Sequence, residues 1–117
     1  TGITDPALLR ASHIVPWKDC SGDAQRLDVH NGLLLSALWD AAFDRGLVTF
    51  ADAGHPEFSP ALSEAARSEL RWQMSLSLTS RQRENLGWHR KHAFNASASR
   101  DASQTQTLSL PPRDRAR

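Results

Sequence analysis

Residues 33–46, which read LLLSALWDAAFDRG, place the strongest local constraint on how this chain can fold. Three consecutive leucines predict a short strand, and so apolar a run favours burial on both faces. Ser36 offers a helix N-cap, and Gly46 can adopt the left-handed conformation that commonly ends a helix. The segment therefore predicts a strand that runs directly into a short helix over residues 37–45.

Asp40 and Asp44 lie four residues apart on this predicted helix, so their carboxylates share one face. Like charges at this spacing destabilise a helix by roughly 0.2–0.5 kcal/mol, and the helix dipole disfavours a negative charge near the C-terminus. A hard divalent cation with oxygen ligands would compensate for both effects. The alternative is an acidic face that is simply solvated. Trp39 and Phe43, an aromatic pair on an adjacent face, favour a helix packed on a core.

The segments before this helix predict a strand, a loop and a turn. An apolar run over residues 8–15 predicts a strand that Pro16 ends, and the polar residues 18–26 predict an exposed loop. Asn31 and Gly32 predict a tight turn that leads into the leucine strand. A further strand is expected over residues 47–50.

The second half of the chain predicts helices and then a tail. We expect Ser59 to cap a helix, and Thr79 with Gln82 to form the capping box of a second helix that ends near Phe94. Residues 95–117 are rich in Ser, Thr, Gln and Pro and have little apolar surface to bury, which is typical of a disordered tail or linker. The sequence thus predicts one domain over residues 1–94.

His13 and Asn31 each allow two interpretations. A histidine on a strand is commonly a hydrogen-bonded core residue, but beside a metal site a neutral imidazole can take a proton from an attacking water. Asn31 is explained as well by the Asn-Gly turn as by a catalytic role. Neither residue alone decides between structure and chemistry.

Taken together, the stretches LLRASHIVPW, RLDVHNGLLLS and FDRGLVTF resemble the HNH (ββα-metal) endonucleases, in particular a restriction-type branch whose helix carries aspartates. The resemblance implies an α+β fold: a short antiparallel hairpin packed on a helix, with additional C-terminal helices. It also implies that His13 is the general base, that Asn31 holds the loop of that base, and that Asp40 and Asp44 bind the metal. Ser12 stands where many relatives carry a further metal ligand.

The implied activity is metal-dependent hydrolysis of DNA phosphodiester bonds. Because both helix ligands are carboxylates, Mg²⁺ or Mn²⁺ is expected rather than Zn²⁺. Cationic side chains near the site and on the last helix would bind phosphates; the candidates are Arg10, Lys18, Arg45, His89 and Arg90. A solvated basic helix face explains the stretch WHRKH equally well.

Composition narrows the class of protein further. A length of 117 residues suits one domain, and a net charge of +1 leaves any attraction to DNA to local clusters of Arg and Lys. One cysteine, no signal-like N-terminus and no long apolar run predict a cytoplasmic protein without membrane contact. Because the chain begins at Thr1 without a methionine, we expect it to belong to a longer chain with an upstream domain.

Two other functions stay open at this point. A noncatalytic nucleic-acid-binding module on the same fold is one, since the Ser12 hydroxyl is a poor substitute for a charged ligand. A nonspecific toxin nuclease with an inhibitor partner is the other. Double-strand cleavage by one small site requires either a homodimer or two successive nicks, and the sequence does not choose between them.

Overall fold

A computed structural model describes residues 2–71 and 75–94 of the chain. Its architecture is α+β, with two small antiparallel sheets and four α-helices in the described part. The elements are β1 (Leu9–His13), α1 (Asp23–Arg26), β2 (Gly32–Ser36), α2 (Ala37–Asp44), β3 (Val48–Phe50), β4 (Pro56–Phe58), α3 (Glu64–Glu69) and α4 (Ser80–His89).

β1 and β2 form an antiparallel hairpin in which Leu9 lies opposite Ser36 and His13 lies opposite Gly32. Residues on one face of this hairpin are buried, including Ser12, Leu33 and Leu35. The prediction that the leucine strand is buried on both faces is wrong, because Leu34 points to the other face and is 67% exposed. The hairpin therefore packs on the core with one side only, as antiparallel sheets commonly do.

α2 follows β2 without an intervening loop and packs its aromatic face into the core. Trp39 and Phe43 are 2% and 1% exposed, and both rings contact Phe50 of β3 at centroid distances of 6.0 and 5.9 Å. Gly46 has a φ of 72°, the left-handed conformation expected after the helix. The core contact of the aromatic pair and the helix stop both match the sequence prediction.

Three local features differ from the sequence prediction. The predicted loop over residues 18–26 contains the single turn α1, and β4 pairs with β3 although Pro56 gave no strand signal. Ser59 does not cap a helix: its hydroxyl accepts from the backbone N–H of Ala61, and α3 begins later, where Ser63 accepts from Ala66. Ser59 and Ser63 both precede α3, and Ser63, which is adjacent to Glu64, is the cap.

α4 begins at the predicted capping box, in which Thr79 and Gln82 exchange side-chain and backbone hydrogen bonds. Its C-terminal part inserts His89, which is 2% exposed, between α2 and β3. The imidazole stacks on Phe43 at 3.8 Å, its Nε2–H donates to the Phe43 carbonyl at 2.9 Å, and its Nδ1 lies 2.8 Å from the Thr49 hydroxyl. Both ring nitrogens are therefore satisfied with the imidazole neutral.

The α+β class and the antiparallel hairpin packed on a helix, both expected from the sequence, are confirmed. Among the described residues, no helix combines the length and apolar character that a membrane crossing requires. The predicted tail over residues 95–117 lies outside the described residues.

His89 should make the fold sensitive to acid. Burial lowers the pKa of His89 from 6.5 to about 4, with Arg90 acting in the same direction and with Asp44 and the Phe43 carbonyl opposing it. Between these two values the unfolded chain binds a proton that the folded chain does not. Stability present at neutral pH is therefore lost as the pH falls from 6.5 to about 4, by up to roughly 3 kcal/mol.

Urea unfolding at stepped pH checks this, with His89→Gln as the comparison. The free energy of unfolding of the wild type should fall more steeply over this window than that of the variant, because all other titrating groups are shared. Equal pH dependence in the two proteins would contradict the assignment.

Candidate active site

His13 lies at the end of β1 with its side chain exposed. Its Nε2 is 3.2 Å from the backbone carbonyl oxygen of Arg26. Because a carbonyl can only accept, this contact requires the proton on Nε2 and leaves a lone pair on Nδ1. The ring also meets the edge of Trp17, with centroids 5.7 Å apart. The geometry provides an oriented imidazole with one nitrogen free to accept a proton.

Asn31 holds the segment that follows His13. Its side chain is fully buried, its Oδ1 accepts from the backbone N–H of Val15 at 2.8 Å, and its Nδ2 donates to the Val15 carbonyl at 3.0 Å. The same amide donates to the thiol of Cys20 at 3.5 Å. Residues 14–31 thus form a long connection fixed at its start by one amide. The predicted Asn-Gly turn is instead a 3-10 turn over Val29–Asn31, after which Gly32 is extended with φ −137°.

Ser12 and Asp40 join the hairpin to α2. Ser12 is 6% exposed, and its hydroxyl donates a hydrogen bond to the Asp40 carboxylate. This contact means that α2 turns Asp40 toward the strand residue that precedes His13. Asp44 lies one helical turn further on and is exposed. The structure therefore brings Ser12 and Asp40 together at one corner of the fold, and His13 is the residue next to Ser12 on β1.

The acids of this corner have the chemistry of a hard-cation site. Neither Asp40 nor Asp44 forms an ion pair with any described residue, so their charges are not neutralised by the protein there. Within residues 2–71 and 75–94 no cluster of three or more His, Cys, Asp or Glu side chains could hold a metal. The available donors are two carboxylates and the Ser12 hydroxyl, which fit an oxygen-preferring divalent ion whose shell is completed by water or phosphate.

Three of the predicted phosphate-binding residues are exposed near this corner. Arg10 lies on β1 two residues before Ser12 and bonds the nearby carbonyls of Ala7 and Leu9. Lys18 and Arg45 form no side-chain hydrogen bond or ion pair with any residue that the structure describes. All three remain available to an anionic ligand.

His89 and Arg90, the other two candidates, do not present free polar groups at this corner. His89 is enclosed in the core, and its two ring nitrogens bond Phe43 and Thr49. Arg90 donates to the Phe50 carbonyl at 2.6 Å and pairs with Asp52 at 2.9 Å. The assignment of His89 as a DNA contact is wrong, because its imidazole is enclosed and fastens α4 to α2 and β3. The assignment of Arg90 stays a prediction.

Arg26 and Trp17 are neighbours of His13 to which the sequence interpretation gave little weight. Arg26 supplies the carbonyl that contacts His13, and its guanidinium lies 5.6 Å from the centroid of the Trp17 ring. In the sequence, the signal for this contact was Trp17, which lies four positions after His13 in the stretch SHIVPW. The contact with Arg26 depends on the path of the 14–31 connection and was not readable from spacing.

Loss of the Asn31 side chain should loosen this connection. Asn31→Ala would leave the buried N–H and carbonyl of Val15 without partners, and each such group costs roughly 1–3 kcal/mol. We expect a total loss in unfolding free energy of roughly 2–5 kcal/mol, measured by urea denaturation. Asn85→Ala, which removes a half-buried amide bonded to Gln25 and the His30 carbonyl, is the matched control and should cost less. Equal losses in the two variants would show that Asn31 is not a special restraint.

A family model described as HNH endonuclease matches residues 1–51. No curated protein matches the chain. The matched stretch contains β1, the 14–31 connection, β2 and α2, and it thus includes His13, Asn31, Asp40 and Asp44. The antiparallel hairpin followed by a helix is compatible with the ββα-metal core of this family. Residues 1–51 are therefore similar to the HNH endonuclease family.

Proposed function

We propose that residues 1–94 form a restriction-type, metal-dependent endonuclease domain that hydrolyses DNA phosphodiester bonds. His13 is the general base, and Asp40 and Asp44 hold one divalent ion. The observation that carries the proposal is the hydrogen bond from Ser12 to Asp40, since it joins the strand that ends at His13 to the helix that bears both acids. The proposal requires the base and the cation site to lie side by side, as hydrolysis of a phosphodiester does.

The role of His13 follows from its hydrogen bonding. The Nε2–H contacts the Arg26 carbonyl, so Nδ1 can accept a proton from a water molecule that attacks phosphorus. The positive charge that the ring then gains is stabilised by the same carbonyl oxygen, whose dipole points its negative end at Nε2–H. Asn31 keeps the following backbone in place, so that the ring does not have to be ordered at each turnover.

The ion suited to Asp40 and Asp44 is Mg²⁺ or Mn²⁺, because all donors are hard oxygen atoms. When bound, it would neutralise negative charge on the phosphate and on the leaving oxygen. Ser12 adds an oxygen without charge, and the protein therefore offers two negative charges. The Ser12 hydrogen bond also fixes the rotamer of Asp40 before an ion arrives.

Arg10, Lys18 and Arg45 are the side chains proposed to bind the DNA backbone. All three are exposed: Arg10 lies on β1 with Ser12 and His13, Lys18 lies in the 14–31 connection, and Arg45 directly follows Asp44 at the end of α2. Contacts to phosphate give affinity and orientation but carry no sequence information directly. These residues should therefore position DNA of any sequence over the site.

A noncatalytic nucleic-acid-binding module is the second candidate. It is favoured by the absence, among the described residues, of three clustered metal-binding side chains of the His, Cys, Asp or Glu type. Under this alternative DNA would bind with and without divalent ions, and no cleavage would follow. Plasmid nicking distinguishes this module from an endonuclease.

Nicking of supercoiled plasmid DNA tests the proposed function. The domain should convert plasmid to the open-circular form with Mg²⁺ or Mn²⁺ and fail to do so in EDTA. His13→Ala should slow cleavage by roughly 100-fold or more, because a positioned general base contributes about 10²–10⁴ in rate. Asp40→Ala should abolish it by removing an ion ligand.

Matched variants control for loss of fold. His55→Ala removes an exposed histidine from the β3–β4 turn, and Asp5→Ala removes an exposed aspartate ahead of β1; neither should alter the rate. Cleavage that survives in His13→Ala would exclude His13 as the base. Intact DNA binding without cleavage under any ion would favour the noncatalytic module.

A further inference from the structure

Trp17 is a large aromatic side chain left in solvent beside His13. It is 55% exposed, whereas Trp39 in the core is 2% exposed. Apolar area left in water forgoes about 25 cal/mol per Å² of burial, and an exposed tryptophan offers a large flat apolar face to a ligand. The ring meets His13 edge-on with an interplanar angle of 87°. Whatever lies against Trp17 is therefore also next to the proposed base.

The backbone around Trp17 is held in one conformation. Asp19 N–H donates to the Pro16 carbonyl at 2.8 Å, and Cys20 N–H donates to the Trp17 carbonyl at 3.4 Å. Val15, just ahead of this turn, is bonded on both its N–H and its carbonyl by Asn31. The backbone that carries the ring is thus set before any ligand binds, which lowers the entropic cost of using Trp17 as a contact.

One cation contacts this ring and a second follows it in the sequence. The Arg26 guanidinium lies 5.6 Å from the ring centroid, and Arg26 Nε donates to the Trp17 carbonyl at 3.1 Å. Lys18, the next residue, is exposed, and its ammonium has no partner within residues 2–71 and 75–94. Aromatic rings combined with cations hold single-stranded nucleic acid in many proteins, with the cations on phosphates and the ring on a base.

We propose that Trp17 is a base-stacking contact that binds the nucleobase of an unpaired nucleotide next to the phosphate at His13. Bases inside a duplex already stack on each other, so the ring takes a base that is single-stranded or released by fraying. This assignment deepens the proposed nuclease function, because it names the local state of the substrate at the same site. The stacking itself requires neither His13 nor a metal ion.

Equilibrium binding in EDTA tests the proposal without cleavage. A fluorescein-labelled oligothymidylate of about 12 nucleotides is compared, by fluorescence anisotropy, with an abasic oligonucleotide of equal length and charge. Trp17→Ala should weaken binding of the oligothymidylate roughly 5- to 150-fold, the range observed for loss of one stacked base, and leave the abasic strand unchanged. Trp17→Phe should retain most of the affinity because it keeps an aromatic face.

Two controls separate stacking from charge and from fold. Lys18→Ala should weaken both oligonucleotides by the same factor, since both carry the same phosphates. Leu8→Ala, which trims a side chain that is 49% exposed just before β1, should change neither. Circular dichroism and thermal unfolding verify that each variant is folded, and Trp17→Phe carries the test if Trp17→Ala is not.

Equal loss on both oligonucleotides in Trp17→Ala, no loss on either, or failure of the wild type to prefer the base-containing strand would overturn the proposal. Selective loss on the base-containing strand supports it. If plasmid nicking persists in His13→Ala while this selective loss is seen, the proposed mechanism fails and the stacking contact stands.

Discussion

The burial of Trp39 and Phe43 fixes the rotation of α2, and the geometry of the candidate site depends on that rotation. Both rings contact Phe50, and Phe43 is also covered by His89. Successive residues of a helix are about 100° apart, so turning these aromatic rings inward turns Asp40 and Asp44 to one side. There Asp40 meets Ser12 of the hairpin. Acids that would be unfavourable on an isolated helix thus lie on one face of α2, where the proposed cation would bind both.

His13, the proposed base, is restrained by a separate set of contacts. His13 stands at the start of an 18-residue connection between the two hairpin strands, which spans residues 14–31, and loops of this length are commonly functional. Asn31 ties the start of this connection to its end through Val15, while the Arg26 carbonyl contacts the imidazole. The site therefore combines a rigid helix with a loop pinned at a few points. Because the connection is held at only a few points, Trp17 and Lys18 stay exposed on it, where the proposed substrate could contact them.

The parts of the fold that the sequence predicted are those with local signals. Gly46 ends α2 in the left-handed conformation, and Thr79 with Gln82 marks α4, so both could be located from a few adjacent residues. Ser36 directly precedes α2 as predicted, but its side chain makes no capping hydrogen bond. The burial of His89 could not be predicted in this way. Its partners Phe43 and Thr49 are 46 and 40 positions away in the sequence, and its neighbours in WHRKH are mostly polar. Leu34 was misjudged because three identical residues carry no alternation from which to tell the faces of a strand. The register of Asp40 against Ser12 depended on tertiary packing in the same way.

We propose that Ser12, Asp40 and Asp44 bind one divalent ion next to His13. Paramagnetic NMR is the most direct measurement of this binding. Substoichiometric Mn²⁺ should broaden the backbone amide signals of these four residues first in ¹H–¹⁵N spectra, because relaxation falls steeply with distance from the ion. Asp40→Asn should remove the selective broadening while the fold is retained. Broadening centred on another exposed acid, such as Asp52, or broadening that persists unchanged in Asp40→Asn, would contradict the account.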